Sequence, residues 1–195
     1  MLRTIRALLA TGSLFVLLPL LGAAAGDKNE MVDNPWFAAW AGFKPGATAT
    51  VVEKTTYSGD TNPIPDEKVV TYTLLSVSAD KVVVRAVVVE RELLGTVESA
   101  PTRHTYPAKL KKSYLAVAAP DLNAKKGEDT ITWKGRPIKC QTLYGSYKKE
   151  GEAVEFKAWL SDRIPGGVVK RTRTTKQKDE TITTTITLQS YAAGK

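Results

Sequence analysis

From Ala47 to the C-terminus, apolar and polar residues alternate with a period of two, and Thr, Val, Ile and Tyr dominate. Strands with one face on a core and the other in water read this way, and no window carries a helical stripe. Strands are predicted over 47–57, 68–77 and 81–93, the last two joined through Ser78-Ala79-Asp80. In the third, Val82, Val84, Ala86 and Val88 share one face, while Arg85 and Arg91 lie on the other. A loop of Asn, Pro and Asp separates the first two, over 59–66. Residues 94–112 read as an irregular strand broken by Pro101 and Pro107, which suits an edge. The stretch 113–127 reads either as a short strand and loop or as one helical turn ending near Pro120.

Further strands are predicted over 130–133, 138–148, 152–161, 168–176 and 180–191, with turns at Gly135, Gly151 and 177–179. Val154, Phe156, Ala158 and Leu160 alternate against Glu155, Lys157 and Trp159, which names the inward face of that strand. Ile182, Ile186 and Leu188 do the same against Thr181, Thr183, Thr185 and Thr187.

One helix is predicted, over 35–42. Asn34 is a capping residue, Pro35 suits the first helical position, and Gly42 followed by Pro45-Gly46 ends the run. Trp36, Trp40 and Phe43 then fall on one helical face, so the helix must bury that face, either as a plug in the hollow of the sheet or against a membrane surface. A broad sheet with one apolar face has to curl around a partner. The predicted fold is therefore mainly β: a strongly curved antiparallel sheet, an open or half barrel, around one short N-terminal helix.

The N-terminus reads as a secretory signal peptide over residues 1–26. Arg3 and Arg6 precede an apolar run over 14–21, and Ala23-Ala24-Ala25 supplies the small residues for cleavage. An ordinary membrane anchor is the competing reading, but the run is shorter than the roughly 20 residues a spanning helix needs. The remaining residues 27–195 are expected to form a single β-rich domain in the periplasm or outside the cell. They carry 26 basic and 20 acidic residues. That balance favours polyanionic partners such as envelope polymers, and it also serves simple solubility.

Little in the sequence supports catalysis. His104 is the only histidine and Cys140 the only cysteine, so His-based zinc sites and an internal disulfide are excluded. Cys140 alternates with Ile138 on the apolar side of its strand, which argues for a buried thiol rather than a nucleophile paired with His104. His104 itself is expected near an edge and solvated. No phosphate-cradling glycine loop or nucleophile elbow occurs, and no metal or other cofactor is expected. The basic run Lys170, Arg171 and Arg173 is a candidate anion-binding stripe, read alternatively as a solvated face. No aromatics interleave it for base stacking, so no specific nucleic-acid partner is expected.

Two segments, 156–170 (Phe-Lys-Ala-Trp-Leu-Ser-Asp-Arg-Ile-Pro-Gly-Gly-Val-Val-Lys) and 133–140 (Trp-Lys-Gly-Arg-Pro-Ile-Lys-Cys), carry a resemblance. A strand ends in Trp and an apolar residue, an acidic turn follows, and Pro leads to an apolar-then-basic strand. This is similar to the lipoprotein-carrier (LolA/LolB-like) half-barrel fold and to exported proteins built like it. The resemblance implies an apolar hollow between sheet and helix; this chain departs from it in offering one clear helix, itself full of Trp and Phe. The hollow is then either plugged, or the helix is a movable lid. The expectation is a non-enzymatic exported protein that binds a hydrophobic or lipid-linked ligand, with Trp36, Trp40, Phe43, Phe156 and Leu160 lining the site. The alternative is an envelope interaction protein that uses its basic face on an anionic polymer.

Overall fold

The computed structural model describes residues 29–58, 66–92, 95–114, 124–149, 151–178 and 180–194. The expected signal peptide and most of the 59–66 loop lie outside the described residues. The elements are β1 (Met31–Asp33), α1 (Pro35–Ala41), β2 (Thr48–Tyr57), β3 (Asp66–Val77), β4 (Lys81–Glu92), β5 (Gly95–Glu98), β6 (Thr102–Pro107), β7 (Lys109–Lys111), β8 (Lys125–Trp133), β9 (Arg136–Lys149), β10 (Glu152–Leu160), β11 (Val168–Lys176) and β12 (Thr181–Ala192). One helical turn occupies 112–114, residues 115–123 of the ambiguous stretch lie outside the described residues, and β8 begins at Lys125.

The chain is mainly β. Its ten-stranded antiparallel sheet runs β5-β4-β3-β2-β12-β11-β10-β9-β8, with β6 continuing the β5 edge alongside β4. Pro101 falls in the gap between β5 and β6, so the irregular edge predicted over 94–112 is interrupted there, and its last part, β7, leaves the large sheet. β1 pairs with β7 in a separate two-stranded ladder, Met31 opposite Lys111. Residues 27–33 read as a loose lead-in; the three-residue β1 exists because a distant partner pairs with it, not because of any local periodicity.

The sheet stays open, as the predicted open or half barrel does, but it is not strongly curled. Its β8 edge carries Lys125, Lys126, Glu128 and Asp129, a row of charge that discourages pairing with another strand. Coverage of the apolar face comes from added pieces at one end of the sheet. There the core gathers Ala49, Val51, Leu74, Val82, Val84, Val169 and Leu188. The register breaks at Leu74/Ser76, Trp159/Leu160 and Leu188/Ser190 all lie at this same end. Each break adds local twist and bends its strand.

Helix α1 lies on that core against β3, β4 and β6. Asn34 starts it as predicted: its Oδ1 accepts from the Trp36 backbone N–H at 3.0 Å. The rest of Asn34 ties the helix to the edge, its Nδ2 donating to the Pro107 carbonyl at 2.6 Å and its backbone N–H to the Ala108 carbonyl at 2.9 Å. At the other end Ala39, whose carbonyl lies in the last turn, accepts from the Gly166 N–H at 3.0 Å. Gly166 has φ +76°, and a Cβ there would stand 2.9 Å from the Trp40 ring. Glycine is therefore required on both counts, and the β10–β11 loop, with Ile164 and Pro165 fully buried, closes directly over Trp40.

The second added piece is the tip of the β8–β9 hairpin. β9 pairs with β10 only from Gln141 onward, while its earlier residues pair with β8 alone. The projecting tip comes across the end of β10 and β11 to β12, where Trp133 Nε1 donates to the Leu188 carbonyl at 2.9 Å and its ring lies 5.3 Å from that of Tyr191.

Candidate functional site

Between α1, the β8–β9 hairpin and the β10–β11 loop lies a cleft of about 750 Å3. Ala38 and Ala39 of α1 form one wall, and Leu143 of β9 with Leu160 at the end of β10 the other. Small residues on the helix leave the space open, and the bulge at Trp159/Leu160 sets Leu160 at its rim. Lys126, Glu128, Asp129, Lys139 and Asp162 add charge among the lining residues, and Thr130, Gln141 and Ser161 add neutral polar groups. Asp129 is already engaged: its Oδ2 accepts from the Trp159 indole N–H at 2.8 Å, and that bond holds its carboxyl below the usual range.

The structure divides the five residues predicted to line a hydrophobic site. Leu160 lines the cleft. Trp40, 1% exposed, is core beneath Gly166. Trp36 is buried and stacks on Tyr106 of β6, ring centroids 6.4 Å apart. Phe43 lies beyond the end of α1, half-buried against the core. Phe156 packs beside Tyr147 further along the inward face, 6.3 Å between ring centres. The aromatic helix face is thus core, and the cleft faces its alanine side. Sequence reasoning missed Ala38, Ala39 and Leu143 because an alanine on a helix announces neither core nor cavity.

The expected basic stripe is also divided. Strand alternation sends Lys170 to the outer face, where its Nζ sits 5.3 Å from the Trp159 ring centre and shares that ring with Lys157 at 4.5 Å. Arg171 and Arg173 point the other way. They stand directly opposite Ala158 and Phe156 on β10, and opposite Ile186 and Thr184 on β12. Both arginines are half-buried on the face that carries the core. Burial lowers the Arg171 guanidinium from its ordinary pKa, and the charge of Arg173 beside it acts in the same direction; Tyr147 and Glu53 oppose the shift.

His104 and Cys140 sit on different parts of the sheet, His104 on β6 beside β4 and Cys140 on β9 near the far edge. His104 departs from the solvated edge residue expected: it is half-buried, stacked on Tyr106, and its Nε2 lies 3.2 Å from the Thr102 hydroxyl. Desolvation lowers its pKa. Cys140 is buried, and burial raises its thiol pKa, as its alternation with Ile138 suggested. Among the described residues, no group of three or more His, Cys, Asp or Glu is placed to hold a metal ion. No helix among them is long and apolar enough to cross a membrane.

Compared with known proteins, the chain matches no family model, no curated protein and no solved structure.

Proposed function

We propose that this chain is a non-enzymatic binding protein that works outside the cytoplasm and seats a hydrophobic or lipid-linked ligand in the cleft between α1 and the β9–β10 strands. The observation that carries this reading is the cleft itself: about 750 Å3, with Ala38, Ala39, Leu143 and Leu160 among its walls and charged and polar side chains between them. Specific small-molecule sites fall in the range of roughly 300–1,000 Å3 and combine apolar walls with a few polar groups. The signal-like N-terminus supports an exported protein, and the likeness of 133–140 and 156–170 to lipoprotein carriers agrees with a greasy ligand. The use of a basic face on an anionic polymer is less well supported, because Lys170 and the two arginines are on opposite faces.

The test is native mass spectrometry of the exported protein before and after organic extraction, followed by titration with a fluorescent alkyl probe. A bound amphiphile or a one-to-one probe complex is expected. Protein that carries nothing and binds no alkyl probe contradicts the reading.

A further inference from the structure

Within the reading of the cleft as the ligand site, its polar wall selects the headgroup. That wall is one face of the β8–β9 ladder. Leu143 stands opposite Lys126, Gln141 opposite Glu128 and Lys139 opposite Thr130, and all six line the cleft. Leu160 lies beside Gln141 in the register and completes an apolar end with Leu143. Lys139 stands four residues from Leu143 toward the hairpin tip, on the order of 13 Å at roughly 3.3 Å per residue. The cleft is therefore graded: apolar where β9 pairs with β10, polar where the hairpin projects beyond it. Of its charged side chains, Asp129 is bound to the Trp159 indole, and Lys126 has an interaction of its own. Lys139, Glu128 and Asp162 are exposed and form no ion pair or side-chain hydrogen bond among the described residues. A purely anionic headgroup drawn to Lys139 meets two carboxylates, and a purely cationic one drawn to the carboxylates meets Lys139.

We infer that the ligand is an amphiphile with a zwitterionic headgroup, a phosphate and an ammonium. Its chain lies against Leu143, Leu160 and the alanine side of α1, its phosphate on Lys139 and its ammonium on the carboxylates of Glu128 and Asp162. The Thr130 hydroxyl and the Gln141 amide stand in the same rows as Lys139 and Glu128, and both are donors that suit a phosphate oxygen. Because all three charges are exposed, each contact is modest, and selectivity comes from satisfying both signs at once.

The experiment measures binding of four probes of equal chain length: an alkyl phosphoethanolamine, an alkyl phosphate, an alkyl ammonium and the alkyl alcohol. The zwitterion is expected to bind about tenfold more tightly than the alcohol, with each singly charged probe below it. On every variant the affinity is taken relative to the alcohol, whose retained binding shows that the protein is folded. Lys139→Gln lowers the phosphate-bearing probes about threefold and spares the alkyl ammonium, whereas Glu128→Gln combined with Asp162→Asn lowers the ammonium-bearing probes and spares the alkyl phosphate. A zwitterion that binds no better than the alcohol, or a margin that survives both variants, overturns the headgroup assignment while the cleft stands. An alkyl phosphate or an alkyl ammonium that matches the zwitterion overturns it too, by showing that one sign suffices. Failure of every probe, alcohol included, overturns the cleft reading and the headgroup together.

Discussion

The indole N–H of Trp133 donates to the backbone carbonyl of Leu188 across 2.9 Å, although β8 and β12 are four places apart in the sheet. Neighbouring strands lie about 4.8 Å apart, so a flat sheet would hold these strands on the order of 19 Å from each other. The bond exists because the hairpin tip projects beyond β10 and crosses the sheet end. This contact, with α1, covers the apolar face at that end of the open sheet.

Trp133→Phe keeps the ring against Tyr191 and removes the bond to Leu188. A loss of about 1 kcal/mol of unfolding free energy is expected, the usual worth of one half-buried hydrogen bond. Urea unfolding of both proteins measures it; an unchanged midpoint means the hairpin tip is not docked on β12.

Gly166→Ala forces a Cβ to 2.9 Å from the Trp40 ring at a backbone φ of +76°. A destabilisation of about 2 kcal/mol is expected, combining left-handed strain with displacement of a buried indole. A thermal unfolding scan decides the point. No change in Tm would mean that the β10–β11 loop does not close over α1.

His104 offers a pH test that needs no substitution, because it is the chain's one histidine. Desolvation holds its folded pKa below the ordinary 6.5. The unfolded chain therefore takes up the proton first as the pH falls. The contribution to stability is intact above pH 6.5 and is lost on acidification from there toward the folded pKa. The single imidazole resonance is expected to titrate below 6.5 by NMR, and a midpoint at or above that value contradicts the half-buried placement.

Cys140 is buried, and its thiol is shifted away from the reactive thiolate. A disulfide reagent should label the native protein slowly and the urea-unfolded protein at once. Rapid labelling of the native state would place Cys140 in an open site and revive a nucleophilic role.

What could be read from the sequence was whatever local chemistry decides. The period-two runs gave β2, β3, β4 and β9 to β12 to within a few residues, and Asn34-Pro35 marked the start of α1. Alternation named Val154, Phe156 and Ala158 as inward, and all three are buried. The same rule, applied to Lys170 and Arg171, separates them onto opposite faces; reading the basic run as one stripe overlooked it. β1 escaped because it is three residues long and exists only through pairing with β7, and β7 reads in the sequence as the end of the irregular strand over 94–112 rather than as half of a separate ladder. The cleft escaped because its walls belong to four segments that meet only when the hairpin tip and the β10–β11 loop fold over the sheet end.

Ala38 is exposed and lines the cleft without belonging to the core, so it is the place to fill the cleft without disturbing the fold. The decisive measurement is binding of a fluorescent alkyl carboxylate to the native chain and to Ala38→Trp, alongside their unfolding midpoints. If the cleft between α1 and the sheet is the ligand site, the native chain binds one equivalent and Ala38→Trp weakens binding about tenfold or more at an unchanged midpoint. Equal binding by the two proteins would place the ligand elsewhere and contradict the account.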